Sequence, residues 1–452
     1  MNIKDDFILS KINEGYLVGG SVRDYFLSKN FIDRDITIKN ALHFSKKLAE
    51  EFNATFIELD SENKIYRLVL QDKINYLDIC EMQGDTIEQD LARRDFTINA
   101  IAYNLETCEF IDPYNGKDDI EKNILRHIKE TNFVDDPLRI MRAFRFLSTT
   151  GFEPSEDLKI VLKKYIHLAL NPAKERILYE LMKLFGGNAC SKILILMDEY
   201  ELLDKLFPQV VEMKKIPPNT HHHLDLFHHV IETVANIEKL YTVADSNIKA
   251  HLENVDFGGY PRLNHLKLAG FLHDIGKFST WTIEDSGRHR FIKHDDVGAK
   301  LSVPFLKDLK FSKKQIEYIS SMIKNHIYPS SVASAPDLND KIMMRYIRKM
   351  ENDVIDNIIL AKADRLSARG EAITDDIVND NLEKLDKILK FYLDKKDSLK
   401  PLPKLLDGLE VMNLKNIKQS PELGNILKAL KEAQINGDVN TREEAIEFVK
   451  KY

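Results

Sequence analysis

The sequence predicts an α+β protein in which a head built on a mixed β-sheet precedes a long, all-helical remainder. Two observations carry this reading. Up to about residue 115 short strand-like runs dominate, namely "YLVGG", "DITI", "ATFIEL", "IYRLVL", "INYLDIC" and "EFID", with helical stretches between them. From about Asp118 onward the pattern is helical almost throughout, interrupted by prolines in "KIPPNT" (residues 215–220) and "LKPLPKLLDG" (residues 399–408).

Each element has a local reason. The strand "YLV" runs into Gly19 and Gly20, and "SVRDYFL" opens a helix behind them. "DRDITI" has β-branched content and a two-residue period, which puts Asp33 and Asp35 on one face of a strand. Beyond the head, "DPLRIMRAFRFL" is basic on one side and apolar on the other. "ERILYELMKLF" and "KILILMDEYELLDKLF" read as amphipathic helices. A histidine-rich helical region extends to about residue 370. After it Leu382, Leu385, Ile388, Leu389 and Tyr392 recur at helical spacing and read as core. "NTREEAIEFVKKY" opens with a capping box from Thr441 to Glu444.

The bulk numbers bound the function. A chain of 452 residues exceeds one domain. Hydrophobic residues at 43% and charged residues at 30% are ordinary for a globular protein. A net charge of −7 is not that of a nucleic-acid binder as a whole, so any RNA site has to be a local basic face. Cys80, Cys108 and Cys190 are scattered and form neither a metal nor a disulfide pattern, which fits a reducing compartment. "MNIKDDFILSKINEGY" carries charges throughout and lacks the apolar core of a signal peptide. No apolar run approaches the ~18 residues of a membrane span. The expectation is a cytoplasmic protein without a membrane partner; no oligomeric state is set.

Two carboxylates one residue apart repel each other unless a cation lies between them. Mg²⁺ suits that position, because it takes hard oxygen ligands and shares them with phosphates. An Asp-x-Asp alone is most simply a surface pair on an edge strand, so its company decides. The bare amides of Gly19 and Gly20, with Arg23 in reach, suit a phosphate. "DLARRDFTINA" (residues 90–100) sets Arg93, Arg94 and Asp95 at the start of a helix. There the arginines can neutralise a triphosphate and the aspartate can accept from a ribose. Asp78, in "INYLDIC", is a third carboxylate. "FVDDPLRIMRAFRF" (residues 133–146) places Asp136 and Arg139 three apart on one helical face. That is either an i,i+3 salt bridge or a pair that binds a ligand.

In this order, "GGSVRD", "DRD", "LARRDFTINA", "IDPYNGKDDI" and "DDPLRIMRAFRF" resemble the motifs of bacterial-type (class II) tRNA nucleotidyltransferases and poly(A) polymerases, over at least residues 15–210. The resemblance implies a nucleotidyltransferase head, a neck, a body and a tail. It implies that Asp33, Asp35 and Asp78 are catalytic, with Mg²⁺ on Asp33 and Asp35. It implies nucleotide contacts from Gly19, Gly20, Arg23, Arg93, Arg94, Asp95, Asn99, Arg142 and Arg145, with Asp136 and Arg139 reading the base. The chemistry agrees: cytosine and adenine both present an exocyclic amine beside a ring nitrogen acceptor. A carboxylate takes the first and a guanidinium the second, whereas uracil and guanine leave these groups unpaired at ~1–3 kcal/mol each.

The implied partners are the tRNA 3′ end, CTP and ATP. The implied reaction is template-independent CCA addition with release of pyrophosphate; CC addition only and poly(A) synthesis are the alternatives within the class. Between Asp78 and Arg93 stand 14 residues, "ICEMQGDTIEQDLA". Many complete CCA-adding members have a longer flexible segment here, tied to the switch from C to A, and enzymes that add only CC resemble this chain in lacking it. Asp135 stands where the family usually has Glu.

A second set follows in "HHHLDLFHHV", "FLHDIGK", "RFIKHDDVGA", "IKNHIYP" and "LAKADRL". Imidazoles and carboxylates together suit a divalent transition metal. This order resembles the HD phosphohydrolase superfamily over about residues 222–370. The resemblance implies one metal on His229, His273, Asp274 and Asp364, with His294 and His326 completing a second, and Lys277 steadying a phosphate. Mn²⁺, Ni²⁺ or Mg²⁺ are the ions implied. His221, His222 and His223 lie near with no ligand role. The contrary reading keeps an HD fold as an RNA scaffold. A reading of another class makes the protein an HD phosphohydrolase with a non-catalytic head. The chain is expected to divide into a head (1–132), a helical RNA-binding neck (133–215), an HD domain (216–370) and a helical body and tail (371–452).

Overall fold

The structure, a computed structural model, describes residues 3–29, 33–396 and 402–452. The chain forms two compact units: Met1–Pro208 with Asp308–Lys310, and Gln209–Lys307 with Phe311–Tyr452.

The first unit is built on a seven-stranded sheet. Its strands are β1 (Tyr16–Val18), β2 (Asp35–Ile38), β3 (Thr55–Asp60), β4 (Ile65–Val69), β5 (Tyr76–Glu81), β6 (Ala102–Asn104) and β7 (Phe110–Ile111), in the order β3-β4-β5-β2-β1-β6-β7. The β2–β5 pair is parallel and the other pairs are antiparallel, so the sheet is mixed, as the sequence predicts. Leu77 and Ile79 are fully buried, and Asp78 between them points to the opposite face. Ile36 is likewise buried next to Asp35. The sheet therefore packs apolar residues on one side and displays carboxylates on the other. The sequence reading has no counterpart for β6, whose three residues are too few to show a period.

The helices of this unit are α1 (Gly20–Phe26), α2 (Ala41–Glu51), α3 (Ile87–Ala92), α4 (Gly116–Glu121), α5 (Asn132–Asp135), α6 (Leu138–Thr150), α7 (Glu156–Tyr165), α8 (Lys174–Phe185) and α9 (Cys190–Glu199). α6 and α8 pack together through apolar stripes that include Ile140, Phe144 and Leu147 on one and Ile177, Leu181 and Leu184 on the other. The single helix expected over "KILILMDEYELLDKLF" is broken: Glu201 adopts a positive φ of 57°, and a short helix resumes at Leu203–Leu206.

In the second unit the helix Leu226–Val243 packs against Arg262–Leu272 and Val354–Ser367. Arg262–Leu272 is buried along its whole length. Its charges are neutralised in place, Arg262 by Asp256, Asp353 and Asp356, and Lys267 by Glu238. The hairpin Trp281–Ile283/His289–Phe291 departs from the all-helical expectation, its strands being only three residues each. Leu385, Ile388, Leu389 and Tyr392 are buried on the helix Asp375–Lys395, as their spacing predicts. The helices Gly408–Lys415, Pro421–Asn436 and Arg442–Lys451 have their own core around Val411, Ile426, Ala445 and Val449. The Thr441/Glu444 capping box is formed. The break expected over residues 399–408 begins outside the described residues. No described helix is long and apolar enough to cross a membrane.

Candidate active site and metal centre

A cavity of 530 Å³ opens in the first unit, and most of the residues singled out from the sequence line it. Gly19, Gly20 and Arg23 reach it from α1, and Asp35 from the edge of β2. Arg93, Arg94, Asp95 and Asn99 reach it from the segment after α3. Asp136, Arg139, Arg142 and Arg145 come from the approach to α6 and from α6 itself. The wall is thus mainly guanidinium, with a few carboxylates, which is the charge a polyphosphate needs.

The carboxylates are arranged differently from the expectation in one respect. β2 begins at Asp35, so Asp33 lies before the strand and not beside Asp35 on it. The Tyr76 hydroxyl donates to the Asp33 carboxylate, and the Ser21 hydroxyl to its carbonyl. The in-register neighbour of Asp35 is Asp78, across the parallel pair. Burial, and then the Asp78 carboxylate, push the Asp35 carboxyl up to about 6, and Asp33 adds to the push. Asp78 is held by a bidentate pair from Arg67, with both contacts at 2.7 Å. Neither Asp33 nor Asp78 lines the cavity. Asp35 at the cavity edge, with Asp78 and Asp33 close enough behind it to repel its charge, makes a donor set that fits a hard divalent cation.

Arg93 and Arg94 stand at the end of α3, not at a helix start. Arg94 pairs with Asp90 at 3.0 Å. Asp95 is buried; it accepts from Arg142 at 2.7 Å, from Asn99 at 3.0 Å and from the Phe96 amide at 2.8 Å. Burial alone raises such a carboxyl, but the Arg142 charge and these hydrogen bonds outweigh it and bring Asp95 down to about 2. Asn99 also accepts from Arg23 at 2.9 Å, so Asp95, Asn99 and Arg23 form one chain of contacts.

Asp136 precedes α6, separated from it by Pro137, and does not share a helical face with Arg139. The two are not ion-paired with each other. Asp136 pairs with Arg176 at 3.1 Å, and Arg139 donates to the Arg93 carbonyl at 2.6 Å. Both side chains are therefore turned to the cavity instead of being consumed in an i,i+3 bridge. Sequence reasoning missed Arg176 and Lys183 of α8, which also line the cavity, and Glu180, which lies within 3.5 Å of Arg142 and 2.5 Å of Arg145. The signal was available: Glu180 stands in the apolar stripe of an amphipathic helix, and a carboxylate buried there needs a cation.

The second unit gathers His229, His273, Asp274, His294, His326 and Asp364 into one cluster, buried except for the partly exposed His294 and Asp364. Asp274 lies at its centre. Its Oδ2 is 3.4 Å from His229 Nε2 and 3.3 Å from His273 Nε2, and its Oδ1 is 3.2 Å from His294 Nε2 and 3.5 Å from His326 Nε2. Asp364 Oδ1 closes the first group, 3.2 Å from His229 and 3.6 Å from His273. Each Nδ1 faces a backbone carbonyl: Gly270 at 2.7 Å for His273, Phe291 at 2.8 Å for His294, Ile323 at 2.7 Å for His326, and Ser367 at 3.4 Å for His229. The Nδ1–H tautomer this favours turns every Nε2 lone pair inward, as metal-bound imidazoles require. His229 Nε2, His273 Nε2 and Asp274 Oδ1 are buried without a well-formed hydrogen bond. Donors so placed fit divalent metal, with Asp274 between two positions. Lys277 Nζ is 2.6 Å from Asp274 Oδ2 and 3.5 Å from His222 Nε2. His222, without a role in the sequence reading, thus reaches the cluster as well. Burial and then the Lys277 charge push its imidazole down to about 2, so it is neutral.

Comparison with known proteins matches three stretches of the chain to family models. Residues 15–126 match the poly A polymerase head domain, residues 151–213 the probable RNA- and SrmB-binding site of polymerase A, and residues 226–369 the HD domain. The A-adding tRNA nucleotidyltransferase of Deinococcus radiodurans is 30% identical over 451 residues, covering 96% of this chain and 95% of that protein. The chain belongs to the bacterial class II tRNA nucleotidyltransferase family, that of the CCA-adding enzymes. The CC-adding tRNA nucleotidyltransferase of Thermus thermophilus is 28% identical, covering 98% of this chain and 95% of that one. Among solved structures, a CCA-adding enzyme in complex with CTP has a TM-score of 0.57 at 22% identity, covering 99% of this chain and 95% of that chain. The Thermotoga maritima CCA-adding enzyme complexed with tRNA-CCA has a TM-score of 0.53 at 22% identity, covering 98% and 92%. These likenesses show the fold. The chain is a class II nucleotidyltransferase whose second unit carries an HD domain.

Proposed function

We propose that this nucleotidyltransferase extends the 3′ end of tRNA from CTP and ATP without a template, releasing pyrophosphate, in the cytoplasm. The observation that carries the reading is the pairing of Asp35 with Asp78 at the edge of a cavity walled by arginines. Arg23, Arg93 and Arg94 hold the triphosphate, Asp95 and Asn99 orient the sugar, and Arg142 and Arg145 complete the positive wall. Asp136 accepts from the exocyclic amine of cytosine or adenine, and Arg139 donates to the ring nitrogen. Asp35 faces the reacting phosphate, with Asp33 and Asp78 beside it as the other catalytic carboxylates. Asp33 and Asp35 would hold Mg²⁺, which would activate the 3′-hydroxyl and neutralise charge on the leaving group. Relatives named for tRNA nucleotidyl transfer, and neighbours solved with CTP and with tRNA, support the choice of substrates. The proposed division is head 1–132, neck 133–215, HD domain 216–370, and body and tail 371–452.

Within this function CMP is the preferred nucleotide. Conversion of one pocket from C to A requires Asp136 and Arg139 to shift, because a purine displaces the hydrogen-bonding edge. The segment that follows Asp78 is short and tied down. The Gln83 amide donates to Asp90 at 3.1 Å and the Asp85 amide to Gln89 at 2.6 Å. Gly84 holds a φ of 88°, and a Cβ there would meet Gln89 Oε1 at 2.5 Å. A lever of this kind has little travel. The test is AMP addition to tRNA already ending in CC, compared at saturating ATP with CMP addition to the earlier acceptor. Slow AMP addition is expected; equal turnover would establish complete CCA synthesis instead.

The HD domain is proposed as a metal-dependent phosphohydrolase, with Mn²⁺, Ni²⁺ or Mg²⁺ on the Asp274 cluster and Lys277 steadying a phosphate. The inward Nε2 atoms support this over an RNA scaffold, which has no use for them.

A further inference from the structure

His222 lies on the segment that links the proline break to the helix Leu226–Val243. This segment is fastened as a strap. The Gly370 amide donates to the His221 carbonyl at 2.9 Å and the Ala372 amide to the Thr220 carbonyl at 2.8 Å. The approach is so close that a Cβ on Gly370 would lie 2.5 Å from the His221 carbonyl carbon. Residues 370–372 follow directly on the helix Val354–Ser367, which carries Asp364, so the strap is tied to a ligand-bearing element.

The strap fixes one imidazole over the cluster. His222 Nδ1 faces Asn219 Oδ1 at 3.3 Å, which leaves Nε2 with its lone pair toward Lys277. The ring packs edge-on against His229, with centroids 4.6 Å apart. Ligand atoms of His222, His229 and Asp274 all lie within 4.8 Å of one another, a reach that a single ion can bridge. His223 differs, since it turns to Glu232 at 3.5 Å.

We infer that His222 is a further ligand of the metal position that His229 and Asp274 share, delivered by the strap, and that with the adjoining His273 this position carries three imidazoles. The inference rests on the proposed metal reading of the HD cluster. Three nitrogens and carboxylate oxygens favour Co²⁺, Ni²⁺ or Zn²⁺ over Mg²⁺ at that position.

Co²⁺ tests this in the full-length protein. Binding is measured by chelator competition, and the number of nitrogen donors by X-ray absorption. For His222→Ala, affinity is expected to fall at least tenfold, with one imidazole lost from the absorption spectrum; His223→Ala should change neither. Gly370→Ala, which retains every ligand but displaces the strap, is expected to weaken Co²⁺ in the same way. The thermal midpoint of each metal-free variant reports whether it is folded. Should His222→Ala not fold, loss of the imidazole signal in Gly370→Ala decides. Weakened affinity with an unchanged imidazole count, or unchanged affinity, would overturn the assignment of His222. No Co²⁺ uptake by the wild type would overturn the metal reading itself, and this inference with it.

Discussion

Asp35 and Asp78 are in-register neighbours across the parallel strands β2 and β5, so two carboxylates share one face of the sheet, and the first of them lines the cavity. The arrangement costs stability unless a cation is bound. Burial and the Asp78 charge hold the Asp35 carboxyl at about 6, above its unfolded value. In metal-free protein the contribution of this group is fully present below about pH 4 and is lost as pH rises through about 6. Asp35→Asn should therefore stabilise metal-free protein by about 3 kcal/mol at pH 7–8 and by little at pH 4. Denaturant unfolding across that range checks it, and added Mg²⁺ should shrink the difference. The same variant should lose nucleotide addition, as should Asp33→Ala.

Asp95 has the opposite sign. Burial raises its carboxyl, but Arg142, Asn99 and the Phe96 amide bring it down to about 2. Its contribution is present above the unfolded value near 4 and is lost as pH falls through about 2. Asp95→Asn should cost about 2 kcal/mol at pH 7, and the cost should fade between pH 4 and pH 2. Unfolding midpoints of variant and wild type measured side by side would show it.

Glu180, itself buried, lies between two half-buried arginines of the cavity wall. Glu180→Gln leaves Arg145 without its counter-charge and Arg142 with Asp95 alone, which should cost about 3 kcal/mol of stability. It should also raise KM for CTP more than it lowers kcat. Steady-state kinetics at several CTP concentrations separates the two effects.

Asp136→Ala should lower discrimination between CTP and UTP more than it lowers triphosphate binding, because Asp136 meets the base and the arginines meet the phosphates. Competition between the two nucleotides measures it. Unchanged selectivity would leave Asp136 as merely the partner of Arg176.

His273→Ala combined with Asp274→Ala should abolish binding of Mn²⁺ or Ni²⁺ and any hydrolysis of 2′,3′-cyclic nucleotides, while sparing CMP addition. Elemental analysis and the two assays on one preparation check this.

Much of both sites was legible because ordered, chemically unusual residue sets carry them. The α6 arginines and the HD histidines are costly to bury, and a sequence that spends so many in apolar stretches signals a ligand. Local geometry was less legible. Asp33 falls outside β2, and Asp136 is cut off from α6 by Pro137, because strand starts and helix starts depend on neighbouring hydrogen bonds. Arg67 escaped notice and His222 was placed near the site without a role, because what they do comes from tertiary neighbours: β4 beside β5 for the first, and the strap over the cluster for the second. Glu180 escaped although its place in an apolar stripe marked it.

The most direct test of the nucleotidyl-transfer reading is to incubate a tRNA ending at its discriminator base with the protein, Mg²⁺ and CTP alone, and to size the product at single-nucleotide resolution. A product lengthened by two residues is predicted. No extension, or extension that continues without limit, would contradict it.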